Sequence, residues 1–153
     1  METRVNKHLK NLKILCEENN LTETKAFKEW FRNSQVVDDN GQPLIVYHGT
    51  NQTFNHFDNN YSAQGVHWFS SDRSKIERGE SGANSSKTIL AVYLSCQRLA
   101  GWDLYDRLSL YEIEHMGYDG IKLDDDYIVF NPTRIKSVNN RGTFNPNTKD
   151  IYK

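Results

Sequence analysis

Apolar spacing changes character part-way along this chain of 153 residues, and that change limits the folds open to it. Val5, Leu9, Leu12 and Leu15-Cys16 recur at helical spacing, and a second helix is expected from Thr24 through Ala26, Phe27, Trp30 and Phe31, ending at Asn33-Ser34. Beyond that point the apolar residues gather into short runs fenced by glycine, asparagine and aspartate. Val36-Val37 reads as a short extended piece, and Asp39-Asn40-Gly41 is a turn signal leading into the apolar run Leu44-Ile45-Val46, a strand expected to end at His48. Further strands are expected over Val66-Phe69, Thr88-Leu94, Gly120-Leu123 and Tyr127-Phe130, with a short helix around Tyr105-His115. Helices first and a strand-rich remainder specify an α+β fold in one domain, 1–153, with a helical part at 1–33 and a strand-rich core at 34–153. No Gly-x-Gly-x-x-Gly and no Walker-type loop occurs, which disfavours Rossmann and P-loop chemistry.

Composition narrows the function classes further. A 37% apolar and 12% aromatic content with mixed charges matches a soluble globular protein, and no stretch approaches the roughly 20 apolar residues of a membrane span. Met1-Glu2-Thr3-Arg4 lacks an apolar signal region, so a cytoplasmic location is the expectation. Cys16 and Cys96 have apolar neighbours and no metal-ligand spacing, which points to reduced core thiols and to no metal site. The net charge of −1 argues against a protein devoted to non-specific phosphate binding. The last twenty residues nevertheless carry Arg134, Lys136, Arg141, Lys149 and Lys153 against Asp150, a basic stretch read as solvated surface or as a face for an anionic partner. The polar stretch Glu77-Ser86, with two glycines and three serines, reads as a loop, and the end from Asn139 as irregular structure packed by Phe144 and Tyr152.

Three strand-associated segments bear residues suited to chemistry: His48-Gly49-Thr50, Trp68-Phe69-Ser70-Ser71, and Asp126 directly before Tyr127-Ile128-Val129-Phe130. Taken singly, each has a plain structural reading. A histidine after a strand commonly serves as a hydrogen-bonding residue, Trp68-Phe69 as core, and Asp124-Asp125-Asp126 as a hairpin turn.

Their order and surroundings carry more. Phe27-Lys28-Glu29-Trp30-Phe31 is followed by Ser34-Gln35-Val36-Val37-Asp38-Asp39-Asn40-Gly41-Gln42-Pro43-Leu44, then by Tyr47-His48-Gly49-Thr50 with Phe54 and Phe57. Later come Gly117-Tyr118-Asp119-Gly120-Ile121, Tyr127-Ile128-Val129-Phe130-Asn131-Pro132, Arg134-Ile135-Lys136-Ser137 and Asn140-Arg141-Gly142-Thr143-Phe144. This series resembles the ADP-ribosyltransferase superfamily, of the His-Tyr-Glu kind, in the branch found in large polyvalent proteins of phages and mobile elements. The resemblance runs from about residue 26 to residue 152.

The resemblance implies a split β-sheet core, two small packed sheets, and a mono-ADP-ribosyltransferase that breaks the nicotinamide-ribose bond of NAD through an oxocarbenium-like transition state. His48 matches the histidine that binds the adenosine ribose, and Gly49 the glycine whose backbone grips the nicotinamide amide, where a side chain would block close approach. Thr50 offers a hydroxyl on the same turn. Trp68 and Phe69 match the apolar strand behind the nicotinamide, with Ser70 at its rim. Asp126 stands where the family has its catalytic glutamate, placed to offset developing positive charge.

Two departures are visible. The family's middle aromatic would fall at Gly79, with Ile76 at the preceding alanine position, so its stacking role falls to Trp68, to Tyr61 or to no residue. Aspartate replaces glutamate at position 126, and drawing a carboxylate back by about 1 Å is enough to cost on the order of a hundredfold in rate. Asp124 is a second carboxylate that would share the work if the chain were extended there. The resemblance thus implies NAD as co-substrate, no metal and a macromolecular acceptor, a protein first and a nucleic acid second. A degenerate transferase fold kept as a binding or inhibitor module is the alternative. A nucleic-acid binder using the basic end would reveal itself by steep salt dependence.

Overall fold

The computed structural model describes residues 20–61, 65–80 and 88–153. The helix expected over Val5 to Cys16, and residues 81–87 of the polar loop, lie outside the described residues. After a 3-10 turn at Asn20–Glu23, the order is α1 Lys25–Phe31, β1 Val46–Thr50, a 3-10 turn at Asn59–Tyr61, β2 His67–Ser70 and α2 Arg73–Glu77. There follow β3 Thr88–Leu94, β4 Leu99–Ala100, α3 Trp102–Arg107, α4 Leu110–His115, β5 Gly120–Leu123, β6 Asp126–Val129 and β7 Ile135–Ser137.

The strands form a seven-stranded sheet in the order β4-β5-β6-β2-β1-β3-β7, antiparallel except for β4 beside β5. The split implied by the family resemblance takes the form of a narrow seam rather than two separate sheets. The halves β4-β5-β6-β2 and β1-β3-β7 meet at one register pair, Tyr47↔Ser70. By contrast β1 and β3 pair along five positions, from Val46↔Val92 to Thr50↔Thr88. The strand expected to end at His48 therefore runs on through Thr50, because β3 continues to supply partners there.

Alternation assigns the two faces. Ile121, Leu123, Ile128 and Trp68 point to the side covered by α3 and α4, where Ile113 and Leu104 complete a cluster. On the same side, over β3, α1 brings Phe27, Trp30 and Phe31 against Tyr93 and Phe144. Thr24 starts that helix by accepting a hydrogen bond from the Phe27 amide at 3.2 Å, and Trp30 Nε1 donates to the Thr133 carbonyl at 3.1 Å. The opposite side carries Val46, Phe69, Val92, Tyr127 and Val129, closed over by Val36, Phe57 and Ile151. Among the described residues irregular chain rather than helix covers this side, including the end beyond Asn139, where Tyr152 packs inward, while Phe144 packs under α1.

Two local features differ from the sequence expectation. The helix expected over Tyr105-His115 is broken at Leu108 and Ser109, because Ser109 and Glu112 form a reciprocal capping box that starts α4 afresh. A Ser109→Ala variant should lose about 1 kcal/mol, read as a drop of a few degrees in Tm. The basic end is also less solvated than its composition suggests. Lys136 is fully buried, and Arg134 pairs with Asp119 at 3.4 Å. Glycine is required at position 120, where a Cβ would lie 2.8 Å from the Ile128 carbonyl oxygen of the neighbouring strand. No helix among the described residues is long and apolar enough to cross a membrane.

Candidate active site

The seam between β1 and β2 is where the candidate residues collect. Ladder parity decides which groups face it. The Ala91 carbonyl is taken by the Val138 amide on the β7 side, so Ala91 and its partner Tyr47 do not bond to each other, and Tyr47 directs its backbone groups to β2 instead. Gly49, two residues on, turns its N–H and C=O the same way, but β2 supplies no register partner there, since its pairing with β1 stops at Tyr47↔Ser70. The Gly49 backbone therefore faces the seam without a β2 register partner, and the residue is buried there.

His48 closes part of this opening. Its Nδ1 lies 2.8 Å from the Trp68 carbonyl oxygen, which parity also directs toward β1. A carbonyl only accepts, so Nδ1 carries the proton in this bond. Burial lowers the His48 pKa, with the Trp68 carbonyl opposing, so the ring is neutral near pH 7 and its Nε2 lone pair remains an acceptor. The ring is braced by Phe57 at 4.9 Å, edge-on, and by Phe69 at 5.5 Å.

Asp126 is the first residue of β6 and shares a row with Ser70 and Tyr47. That row points to the side of α2, and Lys75 of this helix donates to Asp126 Oδ1 at 3.1 Å. The bond to Asp126 raises the Lys75 pKa, and both side chains are partly sheltered, 27% and 19% exposed. Arg73, from the same helix, lies over the Tyr47 ring at 5.6 Å. His48 belongs to the next row, with Phe69 and Tyr127, and points to the opposite side of the sheet. The structure thus gathers His48, Gly49 and the Trp68 carbonyl at the seam, and places Asp126 with Lys75 two strands away on the α2 side.

Other expected residues take different positions. Phe69 and Ser70 are fully buried: Phe69 backs His48, and Ser70 accepts the Asp72 amide at 3.1 Å beneath α2 rather than standing at a rim. Thr50 Oγ1 accepts from the Gln52 amide at 3.1 Å in the turn that leaves β1. Trp68 is half-buried and packs toward α3 and α4, while Tyr61 ends the 3-10 turn beginning at Asn59. Gly79 lies just past the end of α2 with φ +82°, so the position of the expected middle aromatic is a left-handed helix stop. Asp124 is not extended. It occupies the two-residue turn between β5 and β6 with φ +58°, and does not share a strand face with Asp126.

Sequence reasoning passed over His67. It is buried on the same side of β2 as Phe69, with Nε2 2.6 Å from Asn59 Oδ1, and Phe57 lies edge-on to it at 5.2 Å. Burial pushes its pKa down to about 4. The unfolded chain takes up this proton near pH 6.5 and the folded chain only near 4, so folding stability falls as pH drops through that window. The loss at pH 5 should be about 2 kcal/mol. Melting curves between pH 7 and 4.5 should fall more steeply for the natural chain than for His67→Gln, and equal slopes would remove this assignment.

A shallow cleft between Asn59, Val66, Tyr111, Glu114 and Phe130 shares no residue with the expected site. Among the described residues no group of three or more His, Cys, Asp or Glu side chains is placed to hold a metal ion.

Residues 38–109 match the family model described as ADP-ribosyltransferase in polyvalent proteins. That segment is similar to this ADP-ribosyltransferase family. It contains β1, the seam, β2 and α2, and with them His48, Gly49 and Lys75, while Asp126 lies beyond its end. The segment sits in an α+β core with strand order β6-β2-β1-β3, and the family match supports a general role in ADP-ribosylation. No curated protein and no solved structure matches the chain.

Proposed function

We propose that the chain transfers ADP-ribose from NAD to a macromolecular acceptor and releases nicotinamide. The observation that carries this reading is the Gly49 backbone facing the seam without a β2 register partner, beside a neutral His48. An amide such as that of nicotinamide is matched by one N–H and one C=O on a strand edge. NAD is long, so His48 and Asp126 need not meet. His48 Nε2 accepts from a hydroxyl of the adenosine ribose at one side of the seam, and Asp126 faces the nicotinamide ribose at the other. The bond from the anomeric carbon to the nicotinamide nitrogen breaks, and its electron pair leaves with nicotinamide. Asp126 offsets the positive charge left on the sugar, and the acceptor's lone pair closes on the anomeric carbon as its proton is lost. A protein acceptor is the first choice and a nucleic acid the second, in the cytoplasm and within a phage, mobile-element or effector setting.

Lys75 holds the Asp126 carboxylate in place, which matters more for a short aspartate than for a glutamate. Lys75→Met should lower kcat about tenfold and leave the KM for NAD within about twofold, because only the reacting geometry loosens. A change in KM alone would assign Lys75 to binding instead.

Incubation with labelled NAD and a cell lysate tests the whole reading: label on macromolecules together with released nicotinamide supports transfer. Gly79 at the aromatic position, and the shortened, lysine-paired carboxylate, favour a second reading, a degenerate transferase fold that binds a partner without turnover. Absence of both turnover and NAD binding by calorimetry would select it.

A further inference from the structure

The segment that leaves β1 after Thr50 passes over the open side of the sheet and ends in the 3-10 turn Asn59–Tyr61. One aromatic ring in it, Phe57, is buried between two imidazoles, edge-on to His48 at 4.9 Å and to His67 at 5.2 Å, with Phe54 behind it at 5.0 Å. Asn59 anchors the far end of the segment twice. Its Oδ1 receives His67 Nε2 at 2.6 Å, and its Nδ2 donates to the Phe130 carbonyl at 3.3 Å, at the end of β6. His67 itself is 3% exposed, so its ring nitrogen would be costly to leave without this partner, although Asn59 reaches it from the surface.

We propose that His67 is a positioning residue for the dinucleotide site: through Asn59 it clamps the segment after β1, so that Phe57 keeps the His48 ring in its single orientation on the Trp68 carbonyl. The inference rests on the role given to His48 above. Without the clamp, Phe57 is free to withdraw, and only the Nδ1 bond and the contact with Phe69 then restrain the ring flip and tautomer of His48. Nε2 would no longer be presented consistently to a ribose hydroxyl. Asp126 lies on the other side of the sheet, so the bond-breaking step should be spared.

The experiment pairs nitrogen NMR of the His48 ring with NAD binding and turnover, in His67→Leu, His67→Gln and Asn59→Leu. Asn59 is exposed, so its variant removes the same bond should His67→Leu fail to fold. In the natural chain His48 should show one tautomer, protonated at Nδ1. His67→Leu and Asn59→Leu should show a mixture, with NAD affinity weaker by about tenfold and kcat within about twofold. His67→Gln, whose amide still donates to Asn59, should restore both. An unchanged His48 spectrum in a folded His67→Leu or Asn59→Leu protein overturns the proposal. Should the natural chain bind no NAD, the reading of His48 as a ribose ligand fails, while the His48 spectrum still decides whether the clamp exists.

Discussion

Asp126→Ala is expected to slow nicotinamide release from NAD by a factor of about 10²–10³ while leaving NAD affinity within a few-fold. The asymmetry follows from where the carboxylate sits. Asp126 opens β6 immediately after a two-residue turn, is tied to Lys75 at 3.1 Å, and lies on the sheet side away from His48 and its aromatic brace. On the proposed reading it acts on charge that develops at the reacting sugar, not on the dinucleotide at rest. Asp126→Glu, which extends the carboxylate by one methylene, should retain turnover. Initial rates of nicotinamide release, with affinity measured separately, check both. Natural turnover in Asp126→Ala would leave the sugar's positive charge without a protein partner and end the case for this residue.

The second large effect concerns stability. Lys136→Met should cost about 3 kcal/mol, or roughly 6–12 °C in Tm for a chain of this size. The Lys136 ammonium is buried and spends its three protons on the carbonyls of Thr148, Asp150 and Lys153, at 3.0, 3.0 and 2.8 Å. Burial lowers its pKa to about 8, so it is still charged at pH 7. Methionine fills comparable space but removes all three donations, leaving the Asp150 and Lys153 oxygens only the Lys153 and Asn145 amides, each at 3.3 Å. The damage should travel toward the site, because the Ile151 amide donates to the Asn55 carbonyl at 2.8 Å and His56 bridges to Asp150, next to Phe57. Thermal melts measure the cost, and hydrogen exchange at Ile151 and Tyr152 should show early opening. A melting temperature within a degree of the natural one would mean that water replaces the ammonium without penalty.

Lys136 also shows what the sequence conceals. On composition it belongs to a basic, solvated end, and only the tertiary path of residues 148–153 reveals three carbonyls converging on one point. Elements rich in apolar residues were legible: Thr88–Leu94, and Gly120–Leu123 with only Lys122 facing out, appear with the expected limits. Those built from polar residues were not. The helix Arg73–Glu77 buries Ile76 alone, too little for a periodic signal, although Asp72 ahead of it is a visible cap that accepts from the Ser74 amide. The pair Leu99–Ala100 and the strand Ile135–Ser137 are too short to stand out. Ser109-Leu110-Tyr111-Glu112, by contrast, was a readable capping box whose weight against a continuous helix was missed. At the site, residue types suggested His48, Gly49 and Asp126, but the direction of the Gly49 peptide and the side taken by each side chain depend on strand pairing, which no local spacing encodes. Asp124 illustrates the converse: two residues before Asp126 implies a shared face only if the chain is extended, and here it turns.

The narrow join between the two halves of the sheet has a topological consequence. Hydrogen bonding across it is sparse, yet the backbone passes from one half to the other between β1 and β2, β2 and β3, β3 and β4, and again between β6 and β7. The halves are laced together by the chain itself. No single cut would yield two separable fragments that each keep a contiguous half-sheet, and the order of the strands in space cannot be rebuilt by joining two independently folded pieces. The lacing tethers the halves even where the ladder between them is thin, so a gap can exist at that line without the domain dividing along it.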